Sequence, residues 1–159
     1  AYFFPRASGD TVADELGRVT CDGTARVRVA MAFFTDARQA VAEALAGLAR
    51  AGCTVEVIIG DTEIAAGAAV QTTLRGAGIA PTLYPARTNG WTLHSKYVLV
   101  DASYAGSAAH RRLVFTGSHN WTGPALDRND ETMLRLEDRG VYDAFVADFT
   151  ATREAAARP

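Results

Sequence analysis

The sequence of 159 residues contains almost no lysine. Lys96 is its only lysine, whereas 15 positions carry arginine. The two residue types exchange easily on a solvated surface, but a planar guanidinium does not replace a compact ammonium in a confined site. The one retained lysine therefore marks a position where the chemistry requires that shape. His94, one of only three histidines, precedes it by two residues.

The chain also lacks long apolar runs and a marked excess of either charge. No apolar run approaches about 18 residues, so no membrane-spanning helix is predicted. The net charge of −2 gives no support for non-specific binding to nucleic acid, although a local basic patch is compatible with that sum. We interpret residues 1–159 as a single domain. Because the sequence begins at Ala1 without a leader, we expect a processed protein or an excised domain.

Cysteine is scarce as well, with Cys21 and Cys53 the only two. Each lies a few residues before a strand-like run, at residues 25–34 and 54–59. If these runs are adjacent parallel strands, both cysteines lie at the same edge of the sheet and within bridging distance. A disulfide predicts an oxidising compartment, and on this basis we expect a secreted, extracellular protein. Two buried free thiols are the alternative.

Hydrophobic periodicity divides the chain into two halves. The first predicts alternating helices and strands, with Thr35 and Asp36 capping the second helix: helix 12–19, strand 25–34, helix 37–50, strand 54–59, helix 64–77 and strand 82–84. The second predicts strands with little helix between them: strand 95–101, a polar loop 102–111, strand 112–117, a helical turn 122–127, strand 130–136 and a covering helix 141–154. The fold class is therefore α/β, with a mixed, largely parallel central sheet and helices on both faces.

Residues two apart on a strand share a face, so His94 and Lys96 point the same way. An unpaired ammonium is costly to bury, whereas an imidazole beside an ammonium suits the binding of an anion. The same parity turns Asp101 to the opposite face, which makes it a poor partner for His94. Glu131 is the best-placed carboxylate to orient that histidine.

A second cluster follows at residues 117–120. Gly117 permits a close backbone approach or unusual dihedral angles at the end of its strand. Ser118 and Asn120 are two residues apart and offer donors to phosphate oxygens without adding charge. Trp91 and Trp121 flank these motifs, and each either lines a pocket or packs in the core.

Together these residues resemble the phospholipase D superfamily, whose signature is His-x-Lys-x4-Asp, then Gly-Ser-x-Asn, then a downstream Glu. The matching positions are His94, Lys96, Asp101, Gly117, Ser118, Asn120 and Glu131. The resemblance covers the second half of the chain, and the first half is compatible with the three-layer fold of that superfamily. The loop 102–111 is longer than the motif requires. It either lies on the surface without a role in binding or forms part of the substrate mouth.

The resemblance implies phosphodiester chemistry without a metal or other cofactor, through a phosphohistidine intermediate. In that scheme His94 is the nucleophile or the acid–base group, and Glu131 fixes its tautomer. Lys96, Ser118 and Asn120 hold the non-bridging phosphate oxygens, and Asp101 and Gly117 are structural.

The scheme needs two histidines in equivalent motifs, and this sequence has one motif. His110 lacks a lysine two residues on and is interpreted as a solvated loop residue. His119 occupies the variable position of its motif and is interpreted as a loop histidine. A second motif copy must therefore come from a homodimer or from a missing half of a longer chain.

Three functions compete. The first is hydrolysis or transfer at a phospholipid head group, which the acidic balance and the expected disulfide favour. The second is a dimeric nuclease of the same superfamily, although no dense basic cluster is present to bind DNA or RNA. The third is a non-catalytic half that only pairs with an active partner; the intact catalytic residues argue against it.

Overall fold

The computed structural model describes residues 1–61, 64–86 and 92–158. In chain order the elements are β1 (Tyr2–Phe4), α1 (Thr11–Leu16), β2 (Val19–Thr20), β3 (Arg26–Met31), a 3-10 turn (Asp36–Arg38), α2 (Gln39–Arg50), β4 (Thr54–Asp61), α3 (Ala68–Gly76), β5 (Thr82–Pro85), β6 (Lys96–Tyr104), β7 (His110–Gly117), α4 (Gly123–Asp127), β8 (Glu131–Leu136) and α5 (Arg139–Ala156). Within these ranges no helix is both long enough and apolar enough to cross a membrane.

The strands form one mixed sheet in the order β1-β8-β7-β6-β3-β4-β5, with β2 paired to β6. The prediction of a mixed sheet with helices on both faces is confirmed. Among the named strands of the described residues, β3, β4 and β5 of the first half pair in parallel. The strands of the second half pair antiparallel with their neighbours. The parallel portion is therefore smaller than the sequence suggested.

Side chains that alternate along the strands pack into two separate cores, one on each face of the sheet. Val27, Val29 and Val98 face α1, α2 and α3 on one side of the sheet. Leu99 and Val114 face α5 on the other side, where Phe149 and Tyr142 cover them. Each fully buried side chain of this size contributes about 1.5–3 kcal/mol. The molecule is thus three layers, and strand parity decides which core each residue enters.

Several predicted boundaries in the first half were wrong. The predicted helix 12–19 ends at Leu16, and Val19 instead begins the short strand β2. Asp36 does not cap its own helix; its carboxylate accepts the Val70 amide hydrogen at 3.0 Å, at the start of α3. A side chain at Gly67 would collide with Asp36, so this close approach requires glycine. Helix α3 therefore begins at Ala68 rather than at residue 64, and α2 begins at Gln39 after a 3-10 turn.

The predicted loop 102–111 is mostly a β-hairpin. Strand β6 continues to Tyr104, and β7 begins at His110, which pairs with Ser103. The chain reverses at Ala105 and Gly106, whose φ angles are 53° and 81°. This hairpin lies at the far end of β6 from Lys96, so it is not part of the substrate mouth.

Cys21 and Cys53 form a disulfide with Cα atoms 5.0 Å apart. Strands β3 and β4 are parallel and in register from Arg26 and Thr54 onwards, so the residues before them meet at one edge of the sheet. The structure thus decides between the two alternatives that the sequence left open.

Candidate active site

The predicted catalytic residues come together where three strands meet at one edge of the sheet. Strand β6 begins at this edge, β7 ends there and β8 begins there, because the three run antiparallel in turn. Tyr97 pairs with Thr116, and Gly117 pairs with Met133. This register sets the His-x-Lys segment beside the Gly-Ser-x-Asn segment and beside Glu131.

His94 and Lys96 lie in direct contact, as strand parity predicts. The Lys96 ammonium is 3.3 Å from both ring nitrogens of His94 and donates to the His94 carbonyl oxygen at 3.0 Å. His94 is exposed, whereas Lys96 is half-buried. Burial lowers the pKa of Lys96, and the charge of Glu131 partly offsets that effect. The pair is an accessible imidazole next to a partly desolvated cation.

Glu131 is held by Ser118 and Asn129, and it forms no hydrogen bond with His94. Its carboxylate accepts hydrogen bonds from the Ser118 hydroxyl and from the Asn129 side-chain amide, the latter at 3.2 Å. Among the described residues, the only side chain hydrogen-bonded to the His94 ring is that of Lys96. The predicted Glu131–His94 hydrogen bond is therefore not formed within this chain, because Ser118 occupies the carboxylate instead.

Asp101 faces away from His94, as predicted. Its carboxylate contacts His110 Nδ1 at 3.0 Å and accepts from Arg112 Nε at 3.3 Å. These contacts join β6 to β7 near the hairpin. His110 also contacts the Asp22 carboxylate at 2.7 Å, and both carboxylates raise its pKa. His110 is therefore exposed, as predicted, but it is a strand residue with ionic partners.

Gly117 allows the close backbone approach that the sequence suggested. A Cβ atom there would collide with the Thr132 carbonyl oxygen. The approach lets the Ser118 amide donate to that same oxygen at 3.0 Å, while the Thr132 amide donates to the Ser118 hydroxyl at 3.1 Å. Asn120 Oδ1 is buried at the same edge and has no hydrogen-bond partner within the described residues. An unpaired buried polar atom is uncommon and suits a position that meets a ligand.

The interpretation of His119 as a loop histidine was wrong, because it is only 3% exposed. Its Nε2 lies 3.2 Å from a guanidinium nitrogen of the buried Arg38, and Phe4 stacks on its ring at 3.9 Å. Arg38 in turn donates two hydrogen bonds of 2.7 Å to Asp10. Burial, and secondly the charge of Arg38, lower the pKa of His119 to about 4. A buried neutral imidazole next to Asn120 is a structural support and not the missing second catalytic histidine.

Sequence reasoning missed Asp10 and Arg38, since an arginine at the first turn of a helix is normally solvated. The prediction for Trp121 is decided in favour of packing: it is 1% exposed and meets Phe34 edge-on. Trp91 lies outside the described residues.

An open cleft of about 490 Å³ adjoins the catalytic pair. Its lining includes His94, Lys96, Thr116 and Gly117, together with Ala144, Phe145 and Asp148 of α5. A phosphodiester held at His94 therefore has room beside it for one of its ester substituents.

Residues 22–153 match the family model described as Cardiolipin synthase, PLD-like domain. The chain belongs to this family. Membership confirms the resemblance to the phospholipase D superfamily.

Two curated relatives are similar to it, the mitochondrial cardiolipin hydrolases of Xenopus tropicalis and Xenopus laevis. Each is 31% identical over 116 residues, which are 73% of this chain and 50% of the relative. The chain thus spans about half the length of the curated relatives it matches.

Solved structures confirm the fold. Nuc of Salmonella typhimurium, a phospholipase D family member, matches with a TM-score of 0.67 at 19% identity, covering 91% of this chain and 85% of Nuc. NucT of Helicobacter pylori matches with a TM-score of 0.68 at 17% identity, covering 91% and 86%. Polyphosphate kinase of Porphyromonas gingivalis matches at 0.60 and 14% identity, covering 93% of this chain but 23% of the kinase.

Proposed function

We propose that this chain catalyses phosphodiester hydrolysis or transfer without a metal, through a phosphohistidine. The observation that supports this most directly is the exposed His94 ring within 3.3 Å of the half-buried Lys96 ammonium. The ammonium attracts the phosphate towards the His94 ring, so the same contact brings the nucleophile and its target together.

The reaction has two displacement steps. A His94 ring nitrogen attacks phosphorus, an N–P bond forms and the ester P–O bond breaks, while a second histidine gives its proton to the leaving alkoxide. Water or an alcohol then attacks phosphorus and the N–P bond breaks, while the second histidine takes a proton from the attacking oxygen. Lys96 and Asn120 stabilise charge on the non-bridging oxygens, where one such donor contributes on the order of 10²–10³ in rate.

The second histidine comes from another copy of the motif. Within the described residues His119 is buried and His110 lies at the hairpin end of β7, so neither joins His94 in one chain. We propose a homodimer whose two-fold axis passes beside His94 of each chain; a second half in a longer chain is the alternative.

The proposed substrate is a phospholipid head-group ester. The name of the curated relatives, cardiolipin hydrolase, and the net charge of −2 both support it. The Cys21–Cys53 disulfide supports a secreted protein, because such bonds persist in oxidising compartments.

A nuclease is the second candidate. It is favoured by the close match in length to Nuc and NucT, of which the alignment covers 85% and 86%. A non-catalytic half is the least favoured, because a binding module has no need of an exposed imidazole beside an ammonium.

The deciding experiment assays the protein in parallel on phosphatidylcholine vesicles and on single-stranded DNA, with excess EDTA present. Release of the head-group alcohol in EDTA supports the proposal, and cleavage of DNA alone supports the nuclease. The His94→Ala variant is the control for contaminating activity. Sedimentation across the same dilution series should show activity falling as dimers dissociate; a fully active monomer contradicts the two-motif requirement.

A further inference from the structure

Asn120 is positioned by the residues on either side of it in the chain. It is half-buried, and its Oδ1 has no hydrogen-bond partner within the described residues. On one side the Trp121 amide donates to the Phe33 carbonyl oxygen at 2.9 Å, and the Trp121 carbonyl oxygen accepts from the Thr35 amide at 2.9 Å. On the other side lies the buried His119. The placement of the Asn120 amide therefore depends on how firmly these two neighbours are held.

The chain that follows β3 sets Asn120 beside the catalytic pair. The Ala32 amide donates at 2.8 Å to the carbonyl oxygen of Ser95, the residue between the two catalytic side chains. The carbonyl group of the next residue accepts the hydrogen bond from the Trp121 amide. Two consecutive residues thus hold the His-x-Lys segment and the segment that carries Asn120. A displacement of Asn120 therefore changes its distance to a phosphate bound at His94.

A buried ion pair from the first half of the chain holds His119. Arg38 is fully buried and donates two hydrogen bonds of 2.7 Å to the Asp10 carboxylate. Its Nη1 lies 3.2 Å from His119 Nε2. The pKa of His119 is lowered to about 4, so its ring is neutral near neutral pH. A guanidinium has no acceptor atom, so Nε2 accepts and the ring proton sits on Nδ1. Arg38 therefore fixes both the position and the tautomer of His119.

Asp10 and Phe4 join this contact to two layers of the fold. Asp10 Oδ1 also accepts from two amides in the first turn of α1, at 3.0 and 3.2 Å. Phe4 stacks on the His119 ring at 3.9 Å and pairs with Glu131 between β1 and β8. His119 is therefore held from the helical layer and from the sheet at the same time.

Stability alone does not explain a buried ion pair at this place. Removing both ions from water costs free energy that their attraction often fails to recover, and apolar residues of similar volume frequently stabilise a fold as well or better. Apolar residues cannot donate in a fixed direction to an imidazole nitrogen, whereas the guanidinium fork can. Such directional fixing suits a residue beside a reacting group, where a displacement of about 1 Å costs on the order of 10²-fold in rate.

We propose that Asp10, Arg38 and His119 form a positioning network that holds the Asn120 amide against a non-bridging oxygen of the bound phosphate. Asp10 orients Arg38, Arg38 orients His119, and His119 fixes the backbone of Asn120. The three residues act through Asn120 and do not touch the phosphate themselves. This inference rests on the proposed function, in which Asn120 stabilises charge on that oxygen.

The kinetic test is a double-mutant cycle on bis(4-nitrophenyl) phosphate, a diester that is neither a lipid nor a nucleotide. Asn120→Ala should lower kcat on the order of 10²–10³. His119→Leu fills the space but cannot accept from Arg38, and it should lower kcat about tenfold. In the Asn120→Ala background, His119→Leu should change kcat by less than about twofold, because its effect passes through the missing amide. An undiminished loss in that background overturns the proposal.

Conservative variants separate positioning from loss of stability. His119→Gln offers an oxygen near the place of Nε2 and should keep most of the rate; a loss as large as that of His119→Leu overturns the role of the Arg38 contact. Arg38→Lys keeps the ion pair with Asp10 but not the donation to His119, and it should resemble His119→Leu. The control is Glu15→Gln, which weakens a buried contact to Tyr104 at the far end of β6 and should leave kcat unchanged. An equal fall in kcat there assigns the losses to stability and overturns the network.

Binding of inorganic phosphate, measured by calorimetry, repeats the cycle without turnover. Asn120→Ala should weaken binding about three- to tenfold and His119→Leu by a smaller factor, and the double variant should bind no more weakly than Asn120→Ala. Melting temperatures show which variants are folded, and Arg38→Lys replaces His119→Leu in both cycles if the latter is not.

The two cycles distinguish failure of the network from failure of the proposed function. Coupled losses of phosphate binding without cleavage of any diester refute the catalytic proposal and leave the network standing. Cleavage by the wild type with additive losses in the variants refutes the network and leaves the catalytic proposal standing. Absence of both binding and cleavage overturns both.

Discussion

The Glu131 carboxylate accepts a hydrogen bond from the Ser118 hydroxyl, and its charge raises the pKa of Lys96 against the larger, opposite effect of burial. Ser118 is fixed in turn by the backbone of Thr132 on both sides. Glu131 therefore partly offsets the effect of burial on the pKa of the Lys96 ammonium.

Replacing Glu131 with Gln should shift the alkaline limb of the pH–rate profile to lower pH. Burial lowers the pKa of Lys96 and Glu131 raises it, so removing the carboxylate lowers that pKa further. Activity requires the ammonium and is then lost at a lower pH. Asn129→Ala, which leaves the carboxylate in place, is the matched control. If the alkaline limb does not move, Glu131 does not act through the pKa of Lys96.

Replacing Lys96 with Arg should lower turnover on the order of 10²–10³, although the charge is kept. The ammonium fits between the His94 ring and the His94 carbonyl oxygen, whereas a forked guanidinium displaces one of them. Turnover of any cleaved diester is the measurement, and the exposed Arg139→Lys variant is the control. Near-normal turnover of the variant means that the lone lysine has no special role.

Stability should fall as the pH drops from about 6.5, the ordinary value for histidine, towards about 4. The folded state holds the pKa of His119 at about 4. Between that pH and the ordinary value for histidine, the unfolded chain therefore binds the proton more readily than the folded chain. The resulting loss is about 3 kcal/mol at full protonation. His119→Gln should flatten this part of the curve of unfolding free energy against pH, measured in urea.

His110→Gln is the control with the opposite sign. Asp22 and Asp101 raise the pKa of His110, so its contribution is present at low pH and is lost as the pH rises through the folded-state value. In the His110→Gln variant the free energy of unfolding should fall more steeply as the pH decreases. Identical curves for both variants contradict the assignment of the acid decline to His119.

Removing the disulfide by replacing Cys21 and Cys53 with Ser should lower the free energy of unfolding by about 3–4 kcal/mol in the chain-entropy description. The bond closes a loop with a sequence separation of 32. It lies before the first residues of β3 and β4, whereas Lys96 pairs with Met31 at the opposite end of β3. Activity of the folded variant should therefore persist at low temperature. An unchanged urea midpoint contradicts the prediction.

Local periodicity was sufficient to predict the positions of His94, Lys96 and Asp101, because strand parity depends only on neighbouring residues. Periodicity also predicted helices on both faces of the sheet, and the glycine at position 117 indicated a close backbone approach or unusual dihedral angles. Periodicity could not predict hydrogen bonds between residues that are distant in the sequence. Whether Glu131 meets Ser118 or His94 depends on strand register and side-chain rotamers, and no spacing along the chain encodes either.

The other residues that were predicted wrongly lie where the local sequence pattern does not decide the structure. Arg38 occupies a helical first turn, where an arginine is normally solvated, and only the tertiary fold brings Asp10 to it. The hairpin at Ala105 was missed because alanine rarely adopts a positive φ.

The most direct test of the central claim is to trap the covalent intermediate. The protein is mixed with a short-chain phosphatidylcholine in excess EDTA, quenched in alkali to preserve phosphohistidine, and digested for mass spectrometry. The account predicts a phosphatidyl group on a His94 ring nitrogen, at up to one per two chains, and none in His94→Ala. Sustained choline release with no adduct on His94, or with His94→Ala as active as the wild type, would contradict it.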